Sequence, residues 1–142
     1  MHILIIGAAG MVGRKLTSAL LVAGSVGDDP IEKLTLADVV APDAPDTNIP
    51  CNTLAADLSS HGVAEKLVAD RPDLIFHLAA IVSGEAEADF DKGYAINLDG
   101  TRFLLEAIRQ QGMNEPYCPR LVFTSSIAVF GEPLPPAIPD DM

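Results

Sequence analysis

Apolar positions fall into short runs and helical stripes that alternate along the whole chain. His2 to Ile6 (HILII) is a β-branched run closed by Gly7, and it predicts a buried strand. Val12, Leu16, Ala19, Leu20 and Ala23 follow at helical spacing and stop at Gly24, which predicts a first helix. Lys33 to Ala37 reads as a second strand, and the proline-rich stretch from Ala41 to Pro50 as a loop. Asn52 to Ala55 is a weak third strand, and Ser59 to Ala69 a short helix with Val63, Leu67 and Val68 inward. Asp73 to Leu78 (DLIFHL) is continuously apolar, as central parallel strands are. A longer helix is expected next, with Tyr94, Leu98, Thr101, Leu105 and Ile108 on one face, then a fifth strand over Arg120 to Thr124. Strands alternating with helices predict an α/β fold, a doubly wound parallel sheet, in one domain over residues 1–142.

Composition narrows the partners more than the fold. With 49% hydrophobic and 20% charged residues, the chain has the profile of a globular domain. A net charge of −11, with nine scattered basic residues, argues against nucleic acid, whose phosphates require clustered Lys and Arg. Cys51 and Cys118 are too few and too far apart for a disulfide scaffold or a CxxC metal site, and no metal is expected. No apolar run approaches the ~20 residues that span a bilayer, and MHILIIGAAG lacks the basic start of a signal peptide. A cytoplasmic protein without membrane contact is expected.

The candidate chemistry begins where the first strand ends. Gly7-Ala8-Ala9-Gly10-Met11-Val12-Gly13 forms a GxxGxxG loop that opens the first helix. Gly7 permits the tight turn, Gly10 removes a Cβ from the path of a pyrophosphate, and Gly13 lets helix and sheet pack closely. The free N–H groups and positive dipole end of that helix then face the phosphates. Asp38 follows the second strand, where in this fold an acid accepts hydrogen bonds from both hydroxyls of an adenosine ribose. A 2′-phosphate would meet this carboxylate, and Val39, Val40 and Ala41 bring no arginine to neutralise it. NAD is therefore expected over NADP; the competing reading of Asp38 is a strand cap beside an acidic loop.

Together with four further segments, these residues resemble the extended short-chain dehydrogenase/reductase family, the NAD-dependent group that includes nucleotide-sugar epimerases and dehydratases. Asp57-Leu58 is similar to the pair that touches the adenine ring, and His77-Leu78-Ala79-Ala80 to the H-x-A-[AG] segment along the pyrophosphate and nicotinamide ribose. Asn97 matches the helix asparagine that holds active-site backbone and cofactor. Val122 to Ser126, followed by Val129-Phe130-Gly131, matches the segment that carries the catalytic serine, here Ser126. The resemblance implies a Rossmann-type fold and NAD as cofactor. The cofactor set it implies is Gly7, Ala9, Gly10, Met11, Val12, Gly13, Asp38, Asp57, Leu58, Leu78, Ala79, Ala80, Asn97 and Ser125. The segment Ile81 to Phe90, with FTSSIAVFG, most resembles a branch that oxidises a small four-carbon sugar acid such as D-erythronate at its hydroxyl. In that branch Ser83, Gly84 and Ser126 would line the substrate end.

The family's proton acceptor is the tyrosine of a YxxxK pair, in which the adjacent lysine favours the phenolate. No such pair occurs here: Leu98 stands four residues after Tyr94, and Leu121 four after Tyr117. The expectation is the N-terminal part of a longer protein, its sheet cut after the fifth strand, inactive alone and a homodimer when full length. Such a chain should dissolve poorly and bind NAD weakly, because a strand edge and apolar helix faces stay uncovered. An epimerase or dehydratase that uses NAD transiently is the second reading, and a non-catalytic NAD-binding module the third. For single residues, plainer roles compete. Ser125 and Ser126 can simply end a strand, His77 can be a buried strand residue beside the cofactor loop, and His2 a core or sheet-edge histidine. Glu85, Glu87 and Asp89 read as the solvated face of a short helix.

Overall fold

The computed structural model describes residues 1–113, 115–126 and 129; Phe130, Gly131 and the tail from Glu132 lie outside the described residues. Five parallel strands form the sheet: β1 (His2–Ile6), β4 (Lys33–Asp38), β5 (Cys51–Ala55), β6 (Leu74–His77) and β7 (Arg120–Phe123). Their spatial order is β5-β4-β1-β6-β7, so the chain winds outward from β1 first one way and then the other. Alternate residues of β1 feed the two sides. Ile3 and Ile5 pack with Leu20, Leu34 and Leu36 beneath α1 (Met11–Ala23). Leu4 and Ile6 pack with Leu67, Ile75 and Leu104 beneath α2 (Val63–Val68) and α5 (Gly100–Gln111). The side chains of Ile3 to Ile6 are thus removed from water, which accounts for a run with no polar alternation.

Register aligns the strand ends in one row. Ile6 pairs with Ala37 and with His77, Ala37 with Leu54, and His77 with Phe123. Gly7, Asp38, Leu78 and Thr124 therefore leave the sheet side by side, as a crevice at the carboxyl edge of an open sheet requires.

The sequence-predicted strands stand within a residue or two of their observed bounds, but both long helices differ in detail. On α1 the buried residues are Gly13, Thr17 and Leu20, whereas Val12 is 52% exposed. The buried stripe is carried by a glycine and a threonine, which a hydrophobic stripe cannot reveal. A short helix, α3 (Ser83–Ala88), stands where the acidic segment suggests one, and the stretch from Tyr94 expected as one long helix is instead the end of α4 (Phe90–Tyr94), a π-helical turn (Ala95–Asp99) and α5. Gly100, Leu104 and Ala107 face the core, while Tyr94, Leu98 and Leu105 are exposed. The face that the apolar spacing picks out is thus mostly the outer one. The second helix starts only at Val63, because Asp57 first binds Ser59 in a tight turn.

Two short strands, β2 (Ser25–Val26) and β3 (Asp29–Pro30), pair antiparallel after α1 and have no counterpart in the sequence pattern. At the far end of the sheet, Arg71 adopts φ +50°. Its guanidinium donates to the carbonyls of Gln111 (3.2 Å) and Pro116 (2.7 Å) and lies over the Tyr117 ring. The Tyr117 hydroxyl donates to the Pro72 carbonyl at 2.9 Å, tying the entry of β7 to that of β6.

Candidate functional site

The crevice is built from backbone first. Gly7 has φ +90°, and a Cβ on it would lie 2.7 Å from the Ala79 nitrogen. The glycine loop is thus pressed against the Leu78–Ala79 segment. A Cβ on Gly13 would lie 2.2 Å from the Gly7 carbonyl oxygen, so α1 and the loop touch through bare backbone. Gly10 differs, because a Cβ there would meet only the Gly7 oxygen, at 3.3 Å. The space beside Gly10 is open to a ligand, and a side chain would fill it. The first helical bond runs from the Arg14 N–H to the Gly10 carbonyl, leaving the N–H groups of Met11, Val12 and Gly13 ahead of it. Helix α1 has neither a capping side chain nor an acid in its first turn, which suits an anion. These residues fit a dinucleotide pyrophosphate.

Asp38 is fixed by the same loop. The Ala9 N–H donates to its Oδ2 at 2.9 Å, and the Val39 N–H to its Oδ1 at 2.7 Å. One acceptor position on each oxygen is thereby used, and each keeps a second for a ribose hydroxyl. A cleft of about 390 Å³ opens beside Ala9, lined by Arg14, Thr17, Val40 and Ala41 among others. Arg14 reaches this cleft from the helix, a cation that reading only the residues after Asp38 overlooks.

The other candidates divide into backbone-shaping and exposed groups. Asp57 accepts from the Ser59 N–H and hydroxyl at 2.9 and 2.6 Å, so its carboxylate shapes the turn after β5. Leu58 is 6% exposed and packed in the core, which leaves its backbone as the part that a ligand can reach. The Leu78 N–H donates to the Ile6 carbonyl, Ala79 is half-buried, and Ala80 is exposed. Asn97 grips the loop after them with both ends of its amide. Its Oδ1 accepts from the Ile81 N–H at 2.9 Å, and its Nδ2 donates to the Ile81 carbonyl at 3.0 Å. Ser83 and Gly84 are exposed at the start of α3. Ser125 and Ser126 are exposed directly beyond β7, and the Ser126 carbonyl accepts from the Val129 N–H. Glu85, Glu87 and Asp89 are all exposed, with Glu85 paired to Lys92.

His77 does more than pack. Its carbonyl accepts from both the N–H and the hydroxyl of Thr124, each at 3.2 Å, holding the segment that runs into Ser125 and Ser126. Its ring is 1% exposed, meets Phe123 edge-on, and has Nε2 2.9 Å from the Thr101 hydroxyl. Burial lowers its pKa below the usual 6.5, so the imidazole is neutral at pH 7. Thr101 belongs to the site through this contact; the only hint in the sequence is a histidine ending an otherwise apolar strand. Among the described residues, no three His, Cys, Asp or Glu side chains gather as a metal site, and no helix is long and apolar enough to cross a membrane.

Comparison with known proteins agrees with this geometry. The chain is 44% identical over 145 residues to the D-erythronate dehydrogenase of Cupriavidus necator, spanning 99% of this chain and 43% of that protein. Among solved structures, the nucleoside-diphosphate-sugar epimerase from Agrobacterium tumefaciens is 65% identical, with a TM-score of 0.93, over 100% of this chain and 42% of that one. A uronate dehydrogenase from the same organism, solved as a mutant complexed with NAD, is 32% identical with a TM-score of 0.67, over 88% of this chain and 40% of that one. The chain therefore spans about two fifths of the length of these relatives. Residues 3–142 match one family throughout, and that family is NAD dependent. The chain belongs to the NAD dependent epimerase/dehydratase family.

Proposed function

We propose that this chain is the cofactor-holding part of an NAD-dependent dehydrogenase that oxidises one hydroxyl of a small sugar acid, D-erythronate or a close relative, to the keto acid. The observation that carries the reading is the convergence of three strand ends. Gly7 presses on Ala79 while the neighbouring Ala9 N–H holds Asp38, so loop, ribose acid and Leu78–Ala80 form one cradle. Gly10 and the N–H groups of Met11 and Val12 face the pyrophosphate, Asp38 the adenosine ribose, and the turn at Asp57 and Leu58 the adenine. Leu78 to Ala80, the Asn97-held loop and Ser125 take the nicotinamide end. When bound, NAD supplies the hydride acceptor, so an alcohol becomes a ketone with loss of one proton. The Ser126 hydroxyl holds the substrate oxygen, and Ser83 and Gly84 line the substrate end. The family's proton acceptor is a tyrosine of a YxxxK pair, which this sequence lacks, so the 142-residue chain binds NAD without turning over. The relative of Cupriavidus necator supports the sugar acid as substrate. The exposed stripe of Tyr94, Leu98 and Leu105 suits a homodimer of the full-length cytoplasmic enzyme.

The 65% identity to a structure named as a nucleoside-diphosphate-sugar epimerase favours one second reading, in which NAD is reduced and reoxidised within a turnover. Two measurements test the proposal. Calorimetric titration of the chain with NAD should show one site, and its absence would end the cofactor reading. Full-length protein mixed with NAD and D-erythronate should accumulate NADH; conversion of a nucleotide sugar without net NADH would establish the epimerase instead.

A further inference from the structure

His77 lies at one end of the segment Leu78 to Val82, and Asn97 grips the other end at Ile81. The two are joined through a third side chain. His77 Nε2 lies 2.9 Å from Thr101 Oγ1, and that hydroxyl lies 3.4 Å from the Asn97 carbonyl, four residues back along the helix. Asn97 sits within the π-helical turn, whose wider winding sets the direction of its side chain. A ring of contacts therefore closes on itself: the His77 imidazole, the Thr101 hydroxyl, the Asn97 carbonyl and amide, Ile81, and the chain back to His77.

Proton placement follows from the contacts. A threonine hydroxyl has one hydrogen. If it points at the Asn97 carbonyl, Nε2 must be the donor, and Nδ1 is left as a bare acceptor. If it points at Nε2, the hydrogen moves to Nδ1, which is buried without a hydrogen-bond partner. A buried N–H without an acceptor is the rarer and costlier of the two defects. The Nε2–H form satisfies every donor in the ring of contacts. Such a device is absent from the plain packing role, for which a phenylalanine would serve as well.

We propose that His77 is a positioning residue: as a neutral Nε2–H imidazole it locks Thr101 onto the Asn97 carbonyl, and so fixes the turn from which Asn97 clamps Ile81 and sets the path of Leu78 to Val82. Its own carbonyl, bonded twice to Thr124, holds the Ser125–Ser126 segment against the same point. One buried residue, through its ring and its main-chain carbonyl, thereby joins the Leu78–Val82 segment to the serine pair. The consequence for NAD affinity rests on the function proposed above; the clamp on Ile81 does not.

The test uses the chain itself, labelled with ¹⁵N. In the unsubstituted chain, ring-nitrogen shifts at pH 7 should show neutral His77 with hydrogen on Nε2; an Nδ1–H form or an imidazolium would overturn the proposal without any variant. Thr101→Val should lower the exchange protection of the Ile81 amide by about tenfold or more, while the Leu78 amide, bonded to the Ile6 carbonyl, keeps its own. Thr101→Ser, which keeps the hydroxyl, should restore it. Unchanged Ile81 protection in a folded Thr101→Val chain would refute the linkage, as would a Thr101→Ser chain that behaves like the valine variant. NAD affinity should follow Ile81, falling about tenfold in Thr101→Val and recovering in Thr101→Ser. If the unsubstituted chain binds no NAD, the functional reading fails, and the Ile81 measurements still decide the clamp.

Discussion

Replacing Gly13 by alanine adds one methyl group at the tightest glycine contact among the described residues. The new Cβ would stand 2.2 Å from the Gly7 carbonyl oxygen, 2.6 Å from Ala8 Cα and 2.9 Å from the Ala8 carbonyl carbon. All three are main-chain atoms, so no side chain can swing away. Reaching the 3.4 Å of ordinary contact from 2.2 Å means a separation of 1.2 Å between α1 and the loop. The loop resists, because the Gly7 and Ala8 N–H groups both bond the Ala37 carbonyl, at 2.8 and 3.1 Å. The helix resists through Leu16 and Leu20, which pack onto the sheet. Overpacking of this kind costs about 3 kcal/mol at the upper end of its range. Alanine recovers about 1 kcal/mol as a better helix former than glycine. A net loss of about 2 kcal/mol lowers Tm by roughly 6–10 °C for a chain of this size.

Thermal melts followed by far-UV circular dichroism measure this, with Gly10→Ala as the matched control. At Gly10 a methyl meets a single atom at 3.3 Å, so Tm should stay within about 2 °C while NAD affinity falls by about tenfold or more. A Gly13→Ala chain that melts at or above the unsubstituted temperature would show that helix propensity outweighs the contact, and the packing argument would be wrong. Equal loss of NAD affinity and Tm in the Gly10→Ala chain would remove the distinction between a packing glycine and a ligand glycine.

Asp38→Ser should weaken NAD and raise the affinity for NADP relative to NAD by about tenfold, because Arg14 lines the adjacent cleft; calorimetry with both dinucleotides checks this, and an unchanged ratio would deny Arg14 any reach. Arg71→Ala should lose about 2 kcal/mol in urea unfolding, through its charged bonds to the Gln111 and Pro116 carbonyls. Arg71→Gly should lose about 1 kcal/mol less, because glycine relieves the φ of +50°, and identical losses would mean that this backbone is unstrained. Stability should also fall as pH drops below 6.5. Burial lowers the folded pKa of His77, so the unfolded chain takes up its proton first and is favoured from 6.5 downward, whereas above 6.5 the contribution is complete. His77→Gln should flatten the dependence of Tm on pH between about pH 7 and pH 5, and an equal slope in both chains would assign the effect to other groups, His2 among them.

Legibility in the sequence tracks how each residue does its work. Ile3 to Ile6 are buried on both faces of the sheet, and burial on both faces leaves a run of apolar residues that reads directly as a strand. The loop from Gly7 to Gly13 is legible because its first and last glycines make backbone contacts that no other residue can make. The inner face of α5 is not legible. Gly100 sits where a Cβ would come 3.5 Å from Leu58, and with Leu104 and Ala107 it forms a face made largely of small residues. Periodicity counts Leu98 and Leu105 as the stronger signal, although both are exposed. The π-helical turn at Ala95–Asp99 compounds this, since an extra residue in the turn shifts every later position relative to a pattern counted from Tyr94.

The same distinction separates the two halves of the candidate site. The phosphate half is made of backbone, and its demands appear in the sequence as glycines and a strand-end acid. The half around His77 is made of side chains that hold other side chains: His77 to Thr101, Thr101 to Asn97, Asn97 to Ile81. No spacing rule encodes that chain, because its members come from a strand end, a helix and a loop brought together only by the doubly wound topology. A sequence can offer Asn97 as a candidate, but only the folded chain shows what aims its amide. The orphaned Nδ1 of His77 is the physical trace of that difference: a buried polar atom kept where an apolar ring would pack as well, because the opposite edge of the ring has a partner to hold.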